Sequence, residues 1–192
     1  VGGVRSLPAV TVPIIPVRYL PAVVAVLLAL LMAMASRQLW ALDFFHVAGG
    51  GLWTGVDLFV GFVVGPIVRR MSIPARMEFS ARFMPMMLVI MPVLVTVTLA
   101  SGWELTRMYG RLSPSYVGHW WLVASYIVVG VMAVLAIGIL EPANLGVLYE
   151  LNKPEPDGQL IGRLMRRFIY VAGVMGVMQF ATLIIMTRVA TW

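Results

Sequence analysis

Apolar residues fill five long stretches of the chain, and Arg, Lys, Pro and Gly gather in the short segments between them. The stretches cover about residues 19–36, 44–68, 79–101, 118–140 and 168–189. A helix needs about 17–25 apolar residues to cross the hydrocarbon core of a bilayer, and each stretch reaches that length. Strict alternation of apolar and polar positions is absent. The pattern therefore predicts an all-α polytopic transmembrane bundle of about five spans rather than a β-barrel. Pro21 falls in the first turn of its helix, where the missing N–H would have no intrahelical partner anyway. Pro85 and Pro92 fall inside the third stretch and predict bends there. Residues 1–17 carry Pro8, Pro13 and Pro16 without a signal-peptide cleavage pattern and read as an irregular lead-in along the membrane. Residues 141–162 form the one sizeable loop, too short for a domain, so the chain reads as a single membrane domain.

Composition agrees with the pattern: 61% of the 192 residues are hydrophobic and only 11% are charged. A soluble domain keeps roughly 25% charged residues, so much of this exterior must face lipid. The net charge of +6 does not point to nucleic acid, because the basic residues sit between the apolar runs instead of forming a solvated stripe. They orient the bundle. With the N-terminus inside, ten of the 14 Lys and Arg residues (Arg5, Arg18, Arg69, Arg70, Arg76, Arg82, Lys153, Arg163, Arg166 and Arg167) lie inside. Arg37, Arg107, Arg111 and Arg188 lie outside, together with Trp40, Trp103, Trp120, Trp121 and Trp192. The expectation is N-in, C-out, in a bacterial inner membrane. The chain has no cysteine, which excludes disulfides, iron–sulfur clusters, Cys-ligated zinc and c-type haem attachment.

The remaining inventory for chemistry is short. His46 and His119 are the only histidines. His46 lies two residues into the second stretch and His119 at the start of the fourth, so both fall near the same outer depth on helices running the same way. Two imidazoles from neighbouring helices are what a b-type haem takes as axial ligands, or what a copper ion takes between helices. The plain alternative is an interfacial polar residue satisfied by water. At 100° per residue, Gly50, Trp53, Asp57 and Gly61 share a stripe with His46. Asp57 falls about 16 Å below His46, near the midplane, where a carboxylate costs about 2.5–3.5 kcal/mol. Two readings of it stand side by side: an acid hydrogen-bonded across helices, with Thr96 or Tyr126 as partner, or a proton relay. Gly51-xxx-Gly55, Gly61-xxx-Gly65 and Gly173 with Gly176 predict close helix packing. Met84, Met86, Met87 and Met91 lie far from both histidines and read as adaptable packing rather than a copper site.

Spans two and four look faintly alike, each starting near a histidine and ending at Gly65-Pro66 or Glu141-Pro142, as a parallel two-helix repeat would. The run His46-Val47-Ala48-Gly49-Gly50-Gly51-Leu52-Trp53-Thr54-Gly55, followed by Phe59, Gly65-Pro66 and Arg69, resembles the His–Trp–Gly helix of a membrane superfamily. That superfamily includes copper-resistance D-type proteins and haem-binding protoporphyrinogen oxidases of the HemJ type. The resemblance covers one helix well and the following hairpins loosely. It implies a helical bundle with His46 near a haem or metal. The oxidase pattern has a Lys in a later helix and no span here carries one, so the resemblance does not extend to oxidase activity. The expected function is a haem b-binding subunit that anchors a larger redox complex and transfers electrons, with quinol or an external protein as partner. His46 and His119 are its expected ligands, Trp53 and Gly50 its neighbours, and Arg37, Arg107 and Arg111 its propionate contacts. A copper-handling protein using Asp43, His46, Asp57 and His119 is the second reading, and a purely structural subunit in contact with lipid the third.

Overall fold

The computed structural model describes residues 12–191. Five helices are long and apolar enough to cross a membrane: α1 (Val17–Ser36), α2 (Leu39–Arg70), α3 (Ile73–Met108), α4 (His119–Leu151) and α5 (Gly158–Ala190). No strand occurs among the described residues. Large apolar side chains stand exposed along these helices, among them Leu28, Met32, Phe44, Phe62, Ile127, Val134, Ile137 and Ile184. Water would not tolerate that density on one small bundle, whereas lipid does. The chain is an integral membrane protein.

The helices outrun the apolar stretches that announce them. At 1.5 Å per residue, helices of 32–36 residues reach about 50 Å, well past a hydrocarbon core of about 30 Å. Hydrophobicity stops at the membrane edge, but the backbone hydrogen-bond ladder does not. Ion pairs one turn apart support the overhangs of α3, with Arg82 on Glu78 at 2.7 Å, both exposed, and Arg107 on the buried Glu104 at 2.9 Å. Pro85 and Pro92 lie within an unbroken α3. The loop expected over 141–162 shrinks to residues 152–157, because Glu141–Leu151 continues α4 as helix. Pro142 does not stop it. The turn before Pro142 widens into a π-helix over Ala136–Leu140, and the turn before Pro66 does the same over Phe59–Val64. Each widened turn lies where the proline ring would otherwise crowd the carbonyl four residues back. Spans two and four thus share a structural device as well as a faint sequence likeness.

The last helix in the chain is the central one. Its Ile161, Met165, Phe168, Ala172 and Met175 are buried, and α5 packs against α2, α3 and α4. In α1 only Leu30 and Ala33 are buried, and this helix lies at the periphery against α2 and α3. Met84, Met87 and Met91 join the main core, as adaptable side chains do. Gly61 and Gly173 meet backbone to backbone where α2 crosses α5, and Gly65 lies against Ile169 in the same crossing. Gly51 and Gly55 instead face open space, so that pair makes no helix contact within the chain. Most of the lead-in, with Arg5 and Pro8, lies outside the described residues, as does Trp192. Its end is pinned: Val12 N–H donates to Asn152 Oδ1 at 2.9 Å, and Asn152 Nδ2 donates back to Val12 O at 3.1 Å.

Candidate functional site

Among the buried and half-buried polar residues, two constellations are built on α2. The first is His46. Because α2 begins at Leu39, His46 lies two full turns into the helix rather than two residues in. Its Nδ1 is 2.9 Å from the carbonyl oxygen of Thr98 on α3. A carbonyl only accepts, so Nδ1 carries a proton, and in the neutral ring the lone pair is on Nε2. Gly102, one turn on from Thr98, makes room for the ring: a Cβ there would lie 2.5 Å from His46 Cε1 and 2.7 Å from Nδ1. Gly49 performs the matching service for α3, since a Cβ on it would meet Thr98 Oγ1 at 2.7 Å. The ring is half-buried in this crossing. A backbone carbonyl holding Nδ1–H is the arrangement that presents Nε2 as a ligand base.

Gly102→Ala should therefore act on the histidine first. The added methyl group displaces the imidazole from Thr98 or pries α2 from α3, and overpacking of this kind costs about 1–3 kcal/mol. Thermal unfolding in detergent should show the loss. Gly51→Ala on the open face of α2 should show none, and equal stability of the two variants would contradict the notch.

The second constellation lies three turns further along α2. Asp57 is 1% exposed, and Gln179 of α5 donates from Nε2 to its Oδ2 at 2.9 Å. The other end of that amide, Oε1, faces Thr54 Oγ1, which also reaches Gly50 O at 2.8 Å. Thr54, Gln179 and Asp57 thus form a short chain of buried polar groups between α2 and α5. Trp53 is buried beside it, and its indole N–H has no partner among the described residues. The expected partners of Asp57 are not the observed ones: Thr96 and Tyr126 are exposed, and Tyr126 lies tilted against Trp103 at 6.1 Å. Apolar patterning hides such a partner because Gln179 is a single neutral polar residue in a long hydrophobic run.

The other expected site residues are dispersed. His119 is the first residue of α4, lies edge-on to Trp120 at 5.4 Å, and its buried Nδ1 has no partner among the described residues. Helix α5 packs against both α2 and α4, the helices that carry His46 and His119, and these two share no comparable interface with each other. Arg107 is held by Glu104, and Arg111 lies over the rings of Tyr109 and Tyr116 at 4.8 and 5.4 Å. Arg37 is exposed after α1 in a left-handed conformation, φ 53°. The four residues of the copper reading do not converge on one ion. Asp43 and Asp57 lie about 21 Å apart along one helix by its rise alone, and no group of three or more His, Asp or Glu forms among the described residues. No protein-family model, curated protein or solved structure matches the chain.

Proposed function

We propose that the chain is a haem b-binding membrane subunit that anchors a larger redox complex and carries electrons through it, with His46 as the residue that would hold the haem. The observation behind this reading is the Nδ1–H bond of His46 to Thr98 O, which in the neutral ring directs the lone pair to Nε2. One imidazole in a fixed tautomer is a sufficient donor for a b-type haem, whereas a copper ion held by side chains needs several donors together. Haem b, when bound, supplies one-electron chemistry. The chain's own residues orient and exclude: Thr98 O sets the ring, Gly102 gives it room, and Gly50 keeps the helix surface low one turn on. His119, the second expected ligand, stands on α4, which packs against α5 rather than α2, so the proposal rests on His46 alone. Exposed Phe44 and Val47 flank His46 and offer the apolar surface on which such a subunit would close. A visible spectrum of the purified protein tests the reading. A Soret band of b type that shifts on reduction supports it; stoichiometric copper without haem, or a colourless protein, contradicts it.

The same reading places the protein in a bacterial inner membrane with its N-terminus inside. Helix order puts Arg70, Lys153 and Arg163 at one end of the bundle and Trp40, Trp103 and Trp120 at the other. Single cysteines replacing Arg70 or Lys153 should react with an impermeant thiol reagent only after cell lysis, and one replacing Ser115 should react in intact cells. The reverse pattern would invert the bundle and move His46 to the inner half.

A further inference from the structure

A cavity of about 290 Å³ opens where the end of α2, the start of α3 and the first turns of α5 meet, far along α2 from His46. Its lining is three arginines, Arg69, Arg76 and Arg166, with Gly65, Val68 and Ile169. Arg76 is the fixed member. Its Nη2 donates to Met71 O at 3.2 Å, and its Nη1 lies over Gly162, where a Cβ would sit 2.7 Å away. Its Nε is buried and has no hydrogen-bond partner among the described residues. Arg69 and Arg166 are exposed at the rim.

No carboxylate balances this charge. The ion pairs among the described residues join Glu78 to Arg82, Glu104 to Arg107 and Glu150 to Lys153, and Asp57 is bonded to Gln179. The other acids, Asp43, Glu141, Glu155 and Asp157, form no ion pair with the three arginines. Three guanidinium groups around one small space repel one another, the exposed Arg69 and Arg166 less than the partly buried Arg76 because solvent screens them. A buried N–H without an acceptor adds its own desolvation penalty. Both costs disappear when an anion with several acceptor oxygens enters, and the guanidinium fork matches phosphate geometry.

We infer that this cavity binds a phosphate group, and that an anionic membrane phospholipid carries it there. The lipid source follows from position. The arginines stand at the edge of the apolar run of α2, and Val63, Ile67 and Tyr170 are exposed beside them, a surface along which acyl chains can lie. Basic pockets between transmembrane helices at this level suit anionic headgroups. The cavity volume suits a headgroup rather than a larger ligand.

The test uses the full chain in nanodiscs of phosphatidylcholine with one-fifth phosphatidylglycerol, read by native mass spectrometry. Wild type should retain phosphatidylglycerol over phosphatidylcholine. Arg76→Gln with Arg166→Gln should cut that retention about tenfold or more, as loss of charge-assisted contacts does. Should the double variant fail to fold, Arg166→Gln alone, at the exposed rim, should still reduce it. Arg163→Gln with Arg167→Gln removes equal charge from the same helix outside the cavity and should leave retention unchanged. Equal retention of the two lipids, or an equal loss in both double variants, would overturn the site. Inorganic phosphate added to detergent-solubilised protein separates the sources. Thermal stabilisation by phosphate without selective lipid retention would reassign the cavity to a soluble anion and overturn the lipid.

Discussion

Gly61→Val should break the crossing of α2 and α5 and cost the bundle about 3 kcal/mol, the upper end for overpacking. The neighbour of Gly61 is the backbone of Gly173, which has no rotamer to swing aside. Lipid offers no hydrophobic force to press the helices together again, since contact between them rests on close packing and polar bonds. Separation at this point also strains the Gln179–Asp57 bond, because Gly61 follows Asp57 by one turn and Gly173 precedes Gln179 by less than two. Gly55→Val on the open face of α2 is the matched control and should be tolerated. The measurement is thermal unfolding in detergent, with protease resistance of the 152–157 connection as a second reading. Similar melting of the two variants would mean that α2 and α5 do not meet at Gly61.

Asp57→Leu should cost about 1–3 kcal/mol, because it leaves the buried amide of Gln179 with a donor and no acceptor. Asp57→Asn keeps an oxygen at hydrogen-bond distance and should lie within about 0.5 kcal/mol of wild type. Gln179→Leu should resemble Asp57→Leu, and the double variant should be no worse than either single one, since both ends of the bond then vanish together. Additive losses would show that the two side chains do not support each other. The Asn variant also separates the two readings of Asp57. If the proposed redox activity is found, a stable Asn variant that retains it leaves Asp57 as a helix-to-helix tie. A stable Asn variant in which the proposed electron transfer takes place without proton coupling makes it a relay.

Several features of this architecture were legible in the sequence because a bilayer enforces them. Apolar runs long enough to span, with arginines between them, announce five helices, and the Gly61 and Gly173 patterns announce a close crossing. Helix ends were not legible, because hydropathy marks the membrane edge while the hydrogen-bond ladder of Ile73–Met108 continues beyond it. Prolines misled for a related reason. Pro142 reads as a stop, yet the π-turn over Ala136–Leu140 carries the helix past it. The stripe that placed Gly50, Trp53 and Asp57 together on α2 follows from helical geometry alone, and the structure buries Trp53 and Asp57. Their partners come from other helices. Thr98, Gly102 and Gln179 are single small or polar residues in apolar surroundings, and only the packing of α3 and α5 against α2 gives them meaning. Sequence also could not tell that α5 stands against both histidine-bearing helices.

Under the proposed function His46, fixed by Thr98 and given room by Gly102, offers its Nε2 to a haem. The most direct measurement is the reduced-minus-oxidised visible spectrum of membranes holding equal amounts of wild type, His46→Ala and His119→Ala. His46→Ala should lose the b-type bands while remaining inserted, and His119→Ala should keep them. Unaltered bands in His46→Ala, or loss confined to His119→Ala, would contradict the proposal.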